Sequence, residues 1–312
     1  MAAVTVSVVI VNYRTPGLTI RALRSALDDG ASQVVVVDNA SGDDSLDRLR
    51  AIVDDRLFVV ASPTNGGFGS GANQGAAAAT ADVLVFLNSD AYARRGALSA
   101  LADALDAHRG CAIIGPRLIG NDGVVQRSAG LVPRPDDLLI RGLGLHHVAR
   151  SLAHFPLVSR LLGRQRIATE YDQAITATEA IDVSMVSGAC LAIGWEAFQE
   201  LGGFDEGYFM YFEDADLCRR AAAAGWPIRY VPSAVVEHVG GASAPGDYRF
   251  GPWHAASMVR YLRRWHGASG AVIGIGILWA RTIGSIAGDQ AARERAAAAL
   301  RVGLSTAIAN GR

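Results

Sequence analysis

The chain has 312 residues, half of them apolar, enough to bury a substantial core in one large α/β domain or two small ones, so disorder is not expected. Its 29 basic and 30 acidic residues leave a formal net charge of -1, and no basic stripe runs along the chain to neutralise a phosphate backbone, which argues against nucleic acid as a partner. Cys111, Cys190 and Cys218 lie far apart with no Cys-x-x-Cys pair, so neither zinc nor dithiol chemistry is indicated and a reduced, cytoplasmic setting is expected.

Residues 4–11 form a short β-branched run with no basic cluster before it, which predicts a buried strand rather than a signal peptide. Similar runs at 34–37, 57–60, 83–87 and 112–114 alternate with helix-like segments up to about residue 118. That alternation predicts right-handed βαβ units and a mostly parallel sheet. Ligands of such sheets sit beyond the carboxyl ends of the strands. The residues found there are Asn12, Tyr13 and Arg14, then Asp38 and Asn39, then 65–71, then Asn88, Ser89 and Asp90.

Each of these positions has two readings. Asp38 opens DNASGDDS, where its carboxylate could accept the imide N–H of a uracil or thymine, or simply start a turn and cap the next helix. Residues 65–75, NGGFGSGANQG, enter an alanine-rich segment as a glycine-rich loop enters a helix whose free N–H groups welcome phosphate. Gly67, Gly69 and Ala72 also fit the Gly-x-Gly-x-x-Ala pattern of nicotinamide-binding proteins, but after the third strand instead of the first. Asp90 could bridge a divalent cation to a diphosphate, or cap a helix.

Residues 132–172 mix prolines, paired histidines and Arg134, Arg141, Arg150, Arg160, Arg164 and Arg166 among leucines, and read as an insertion on the acceptor side. Strand-like runs return at 181–186 and 190–193, followed by FMYFEDADLCRR, where three carboxylates crowd into four positions after an aromatic run. Asp216 and Arg220 fit an i,i+4 pair on a helix, whereas Glu213 and Asp214 beside aromatics suit a group that takes a proton from an acceptor hydroxyl. His238, in VVEHVGG, ends another β-like run and can supply the imidazole that Asp90 alone lacks as a metal site. The apolar stretch 271–280 stops at Arg281, short of the ~20 residues of a spanning helix, although with Arg260, Arg263 and Arg264 nearby it could lie on a membrane surface.

The segments VSVVIVNY, VVDNASGD, NGGFGSGANQG, FLNSD, VSGACLAI, GGFDEGYFMYFEDADLCRR and VVEHVGG resemble, in order, those of glycosyltransferase family 2, and in particular its bacterial rhamnosyltransferase-like branch. The resemblance spans residues 4–241 and implies the α/β GT-A fold: a catalytic domain over 1–265 with a donor half (1–118) and an acceptor half (180–265), and a helical tail over 266–312. It further implies that Asp38 reads the base and that Asn88-Ser89-Asp90 is the counterpart of an Asp-x-Asp metal motif with Asn in the first place. By the same resemblance Asp214 is the catalytic base, His238 a metal ligand, and Gly188 and Ala189 line the donor sugar. Asn12, Tyr13, Asn65, Gly66, Gly67 and Asn73 complete the expected donor site.

The activity so implied is inverting transfer, with Mn2+ or Mg2+, from dTDP-rhamnose or else a UDP-sugar to a hydroxyl of a glycan or lipid-linked acceptor, with possible peripheral membrane contact at the inner face. A nicotinamide-dependent oxidoreductase and a non-catalytic nucleotide-sugar binder are the alternatives; neither uses the Glu213-Asp214 pair.

Overall fold

In a computed structural model of the chain, residues 4–108, 110, 112–142, 174–240, 251–285 and 290–309 are described. They divide into two compact units: Met1–Val132, Glu170–Gly207 and Glu213–Ser243 form the first, Pro133–Thr169, Tyr208–Phe212 and Ala244–Arg312 the second.

The first unit is built on one sheet. Strands β1 (Val6–Asn12), β2 (Gln33–Asp38), β3 (Leu57–Ala61) and β4 (Val83–Leu87) alternate with helices α1 (Pro16–Asp28), α2 (Ser45–Arg50) and α3 (Phe68–Ala77). They make a parallel run in the order β3-β2-β1-β4, with Asn12 beside Asp38 in the β1–β2 register. Then follow β5 (Ala91–Ala93), α4 (Ala97–Ala107), β6 (Ile113–Ile119) and the short β7 (Ala129–Gly130). The return segment supplies β8 (Ile181–Val183), β9 (Met185–Val186), β10 (Cys190–Gly194), α6 (Trp195–Glu200), α7 (Glu213–Ala223) and β11 (Ile228–His238). Strand β10 runs antiparallel between β4 and β6, and β11 pairs parallel with β6 and antiparallel with β5 and β8.

The central strands are valine-rich along their whole length because both faces are covered. Val8, Ile10, Val34, Val36 and Val85 meet Leu23 of α1 in one layer, while Val9, Val35, Val37 and Phe86 meet Ala72 of α3 and Leu217 of α7 in the other. This is the period-two alternation of a pleated strand, and each fully buried Val, Ile or Phe contributes about 1.5–3 kcal/mol. In α3, Gly71 lies against Val11, and Gly75 against Val9 and Val37, so tightly that a Cβ would overlap them. Two of the loop's glycines therefore serve helix-on-sheet packing.

In the second unit, α5 (Pro135–Gly142) packs against α8 (Pro252–Gly284), and α9 (Gln290–Ala309) packs along α8. Helix α8 reverses at Gly267, whose φ of 64° and ψ of -154° no other residue adopts readily. Gly270 and Gly274 then pack back on Leu262 and Val259, so α8 is a hairpin with legs at 252–266 and 268–284. The segment Tyr208–Phe212 joins this unit: Phe209 stacks on Trp253, and Phe212 meets His254 and Tyr261. Tyr211 and Phe212 hold φ of 71° and 69°, uncommon for aromatic residues. Of the insertion expected over 132–172, the residues from 143 on lie outside the described residues, as does Cys111.

Candidate active site

The carboxyl ends of β1, β2 and β4 put Asn12, Asp38 and Asn88 at one end of the parallel strands, where the sequence pattern predicts ligands. Asp38 is buried, and its Oδ1 accepts from Asn12 Nδ2 at 2.7 Å and from Ser41 Oγ at 2.5 Å. Its Oδ2 accepts only the Ser41 amide, at 3.2 Å, among the described contacts, leaving an acceptor position for a base N–H. Tyr13 is partly exposed beside this carboxylate's neighbour, with the Arg14 guanidinium over its ring.

Asn65 ties down the loop that opens α3: its Oδ1 accepts from Gly67 N and from Asn39 Nδ2, each at 3.0 Å. Asn39 Oδ1 is buried without a partner, an acceptor that a donor nucleotide could satisfy. Gly66 packs on Ser70, which leaves no room for a side chain. Asn73 spends its amide on the protein: Nδ2 donates to Phe204 O and Glu206 Oε1, and Oδ1 accepts the Phe204 amide. That clamp joins α3 to residues 204–206 and gives Asn73 a structural task.

A hydrogen-bonded path continues from Asn12. Thr19 Oγ1 donates to Asn12 Oδ1 at 2.7 Å and lies 3.0 Å from Thr15 O, and Thr15 Oγ1 reaches Ser89 Oγ at 3.3 Å. The Asn88 amide donates to Ala189 O at 3.0 Å, and the adjacent Gly188 amide donates to Asp214 Oδ2 at 2.8 Å. The backbone of 188–189 therefore couples the Asn88-Ser89-Asp90 turn to the first turn of α7.

Glu213 and Asp214 are adjacent but differ in environment. Asp214 accepts from the Gly188 amide and, at 2.8 Å, from the Ala215 amide, while Glu213 is buried with Oε2 unpartnered. Burial, reinforced by the charge of Asp214, pushes the Glu213 carboxyl up to about 8. Burial also raises Asp214, but its backbone N–H bonds oppose the shift. Asp214 is the better hydrogen-bonded of the two carboxyls, so it is the one whose fold-supplied N–H groups support a negative charge and thus a base. Asp216 pairs with Arg220 at 2.8 Å, the i,i+4 salt bridge expected from spacing.

Pairing of β5 with β11, His238 opposite Ala91, brings His238 against Asp90. Gln126 Nε2 donates to the His238 carbonyl oxygen at 2.8 Å, which turns Gln126 Oε1 to His238 Nδ1, also at 2.8 Å. A carboxamide oxygen only accepts, so Nδ1 carries a proton, and Nε2 is the nitrogen whose lone pair is available whenever the ring is neutral. Nε2 lies 3.5 Å from Asp90 Oδ1. A lone pair facing a carboxylate oxygen is repulsive unless a proton or cation lies between, and two ligands of one Mg2+ or Mn2+, each ~2.1 Å from the ion, stand about 3 Å or slightly more apart. The pair fits a divalent cation. Among the described residues no group of three or more His, Cys, Asp and Glu side chains gathers, so such an ion would draw its remaining ligands from phosphate oxygens and water.

A model of "Glycosyl transferase family 2" matches residues 7–166, and one of "Glycosyl transferase family group 2" matches residues 158–269. The chain belongs to glycosyl transferase family 2. Within this family it is rhamnosyltransferase-like: it is 37% identical over 157 residues to the N-acetylglucosaminyl-diphospho-decaprenol L-rhamnosyltransferase of Mycobacterium tuberculosis, covering 50% of this chain and 47% of that protein. It is 39% identical over 87 residues to the rhamnosyltransferase WbbL of Escherichia coli, covering 26% and 31%. The chain thus spans about half or less of these relatives' lengths. A mannosyltransferase of Pyrobaculum calidifontis, solved with GDP-Man and Mn2+, superposes with a TM-score of 0.57 at 16% identity, over 100% of this chain and 89% of that one. That likeness establishes the GT-A fold, and family membership sets aside the nicotinamide alternative.

The fold adds Gln126, Thr15, Thr19 and Ser41 to the residues expected at the site. Ser41 stands in the quoted DNASGDDS, but Gln126 carries no local signal: only the folding of residues 120–126 onto β6, with Gln126 N donating to Leu118 O, brings it to His238.

Proposed function

We propose that this glycosyltransferase moves rhamnose from dTDP-rhamnose, or failing that a sugar from a UDP donor, with inversion, onto a hydroxyl of a cell-surface glycan or lipid-linked saccharide at the cytoplasmic face of a membrane. Asp38 accepts the imide N–H of the pyrimidine, Tyr13 lies alongside, and Asn39 and Asn65 hold the loop at the start of α3 toward the diphosphate. Asp90 and His238 hold Mn2+ or Mg2+, with Asn88 a neutral neighbour, and the cation when bound offsets charge on the leaving diphosphate. Asp214 takes the proton from the acceptor hydroxyl as that oxygen attacks the anomeric carbon from the face opposite the diphosphate, and one displacement inverts the centre. Gly188 and Ala189 lie along the donor sugar.

The observation that carries this reading is the hydrogen bond from the Gly188 amide to Asp214, in the loop whose Ala189 carbonyl holds Asn88. It ties the base to the turn that bears Asp90. The names of the mycobacterial and Escherichia coli relatives support rhamnose. Nucleoside diphosphate release from a panel of donors, with and without EDTA, tests it. Turnover should be highest with dTDP-rhamnose and vanish with chelator; equal affinity for GDP and dTDP, or full turnover in EDTA, contradicts it.

A further inference from the structure

Charge is divided unevenly between the two units. Every basic residue in the chain is arginine, and the sequence of the second unit holds 15 of them against five Asp and Glu, a net +10. The first unit holds 14 against 25, a net -11. The near-zero charge of the whole chain conceals this separation, which is large enough to steer one unit toward an anionic surface.

The same unit exposes apolar stripes. On the second leg of α8, Val272, Gly276, Trp279 and Ile283 recur at helical spacing, and Val272, Trp279 and Ile283 are 68%, 57% and 51% exposed. On α9, Arg293, Arg301, Leu304 and Ile308 fall on one face, with Ile308 70% exposed. The opposite faces are committed: Gly303 of α9 packs against Leu278 and Val259, and Thr282 Oγ1 bonds Ala296 O. The exposed stripes are thus left over after the helices have packed on one another.

We infer that this helical unit docks on an anionic lipid bilayer, lying in the headgroup region with Trp279 and its neighbours inserted. Apolar side chains on helices flanked by arginines, which extend their stems along apolar surface and keep the charge in the headgroup layer, have the composition of an interfacial segment. Lying in the interface is favoured over crossing: α8 has the length and hydropathy of a membrane helix, but the reversal at Gly267 divides it, and the second leg is about 25 Å long against a hydrocarbon core of ~30 Å. Docking stands whether or not the acceptor is lipid-linked, and its test does not use transfer.

The full chain is mixed with vesicles of phosphatidylcholine alone, or with about a third phosphatidylglycerol, and floated on a density gradient. Binding is expected to the anionic vesicles, to fall about tenfold or more at high salt, and to be weak on phosphatidylcholine. Two variants, Trp279→Ser with Ile283→Ser, and Arg293→Glu with Arg301→Glu, should each reduce binding by about tenfold while nucleotide affinity stays that of the parent. Quenching of tryptophan emission by brominated lipid should drop in Trp279→Phe, which keeps the apolar bulk. No flotation with anionic vesicles, or flotation that both double variants retain in full, overturns the proposal. So does sedimentation showing that the exposed stripes instead hold two copies of the chain together, with the Trp279→Ser and Ile283→Ser chain monomeric.

Discussion

Gln126 grips His238 at two points, its Nε2 on the backbone carbonyl and its Oε1 on the ring Nδ1, each at 2.8 Å. The backbone contact fixes the direction of the carboxamide, and the carboxamide fixes Nδ1 as the donor to it, so Nε2 is the nitrogen turned to Asp90. Gln126→Leu removes that constraint without adding charge. Calorimetric titration of Mn2+ in the presence of dTDP should show affinity weakened by about 10- to 100-fold, the usual effect of losing a partner of a ligating histidine. Unchanged affinity, while Asp90→Ala abolishes binding, would remove Gln126 from the account.

Asp38→Ala should weaken dTDP binding by an order of magnitude or more, since a hydrogen bond to a buried charged group contributes about 1.5–3 kcal/mol. Asn12 Nδ2 lies 3.1 Å from Ser41 Oγ and keeps that partner when the carboxylate is gone, which limits collateral damage. Calorimetry with dTDP and GDP checks the point; a parent chain that binds both equally contradicts it.

Glu213 predicts a pH signature in stability. Its carboxyl is raised from 4.5 to about 8 in the fold, chiefly by burial. Between those values the folded chain keeps the proton and the unfolded chain has lost it, so stability falls as pH rises through this window, by at most about 1.4 kcal/mol per pH unit from this group. Glu213→Gln is neutral throughout and should flatten the slope. Urea denaturation at several pH values reads this directly, and parallel slopes in parent and variant would count against a neutral Glu213.

Phe86 lies in the aromatic cluster under α3 and α6, with ring centroids 5.0 Å from Phe198 and 4.9 Å from Phe204. Phe86→Ala should cost about 3–5 kcal/mol, the range for emptying an aromatic site in a core. Thermal and urea unfolding measure it, and a loss below 1 kcal/mol would mean that the site collapses freely.

The parallel strands of the donor side were legible because β-branched runs buried on both faces are hard to mistake, and strand-end polar residues follow from such a sheet; the order of the strands came only with the fold. The family's ordered motifs made Asp90, His238 and Asp214 legible as candidates. Gln126 was not, since its role arises from tertiary contact alone. The glycine-rich pattern of residues 65–75 marks a loop and a phosphate-binding helix start, whereas Gly71 and Gly75 serve packing on β1 and β2, a demand set by strands more than 30 residues away in sequence. The reversal at Gly267 was hidden too, because glycine within an apolar helical pattern carries no mark of the φ it will adopt. The charge asymmetry emerged only when the fold assigned segments distant in sequence to the same unit.

The central claim, that Asp214 is the base and Glu213 is not, is tested most directly by steady-state kinetics on Asp214→Asn and Glu213→Gln with the donor that the panel selects. Asp214→Asn keeps the shape and removes the basic oxygen, so kcat should fall by roughly 10²- to 10⁴-fold with donor affinity nearly unchanged. Glu213→Gln should keep most of kcat, because burial pushes the Glu213 carboxyl up to about 8 and the amide matches its neutral form. Near-normal kcat in Asp214→Asn with an inactive Glu213→Gln would move the base by one residue, and full activity in both would contradict the mechanism.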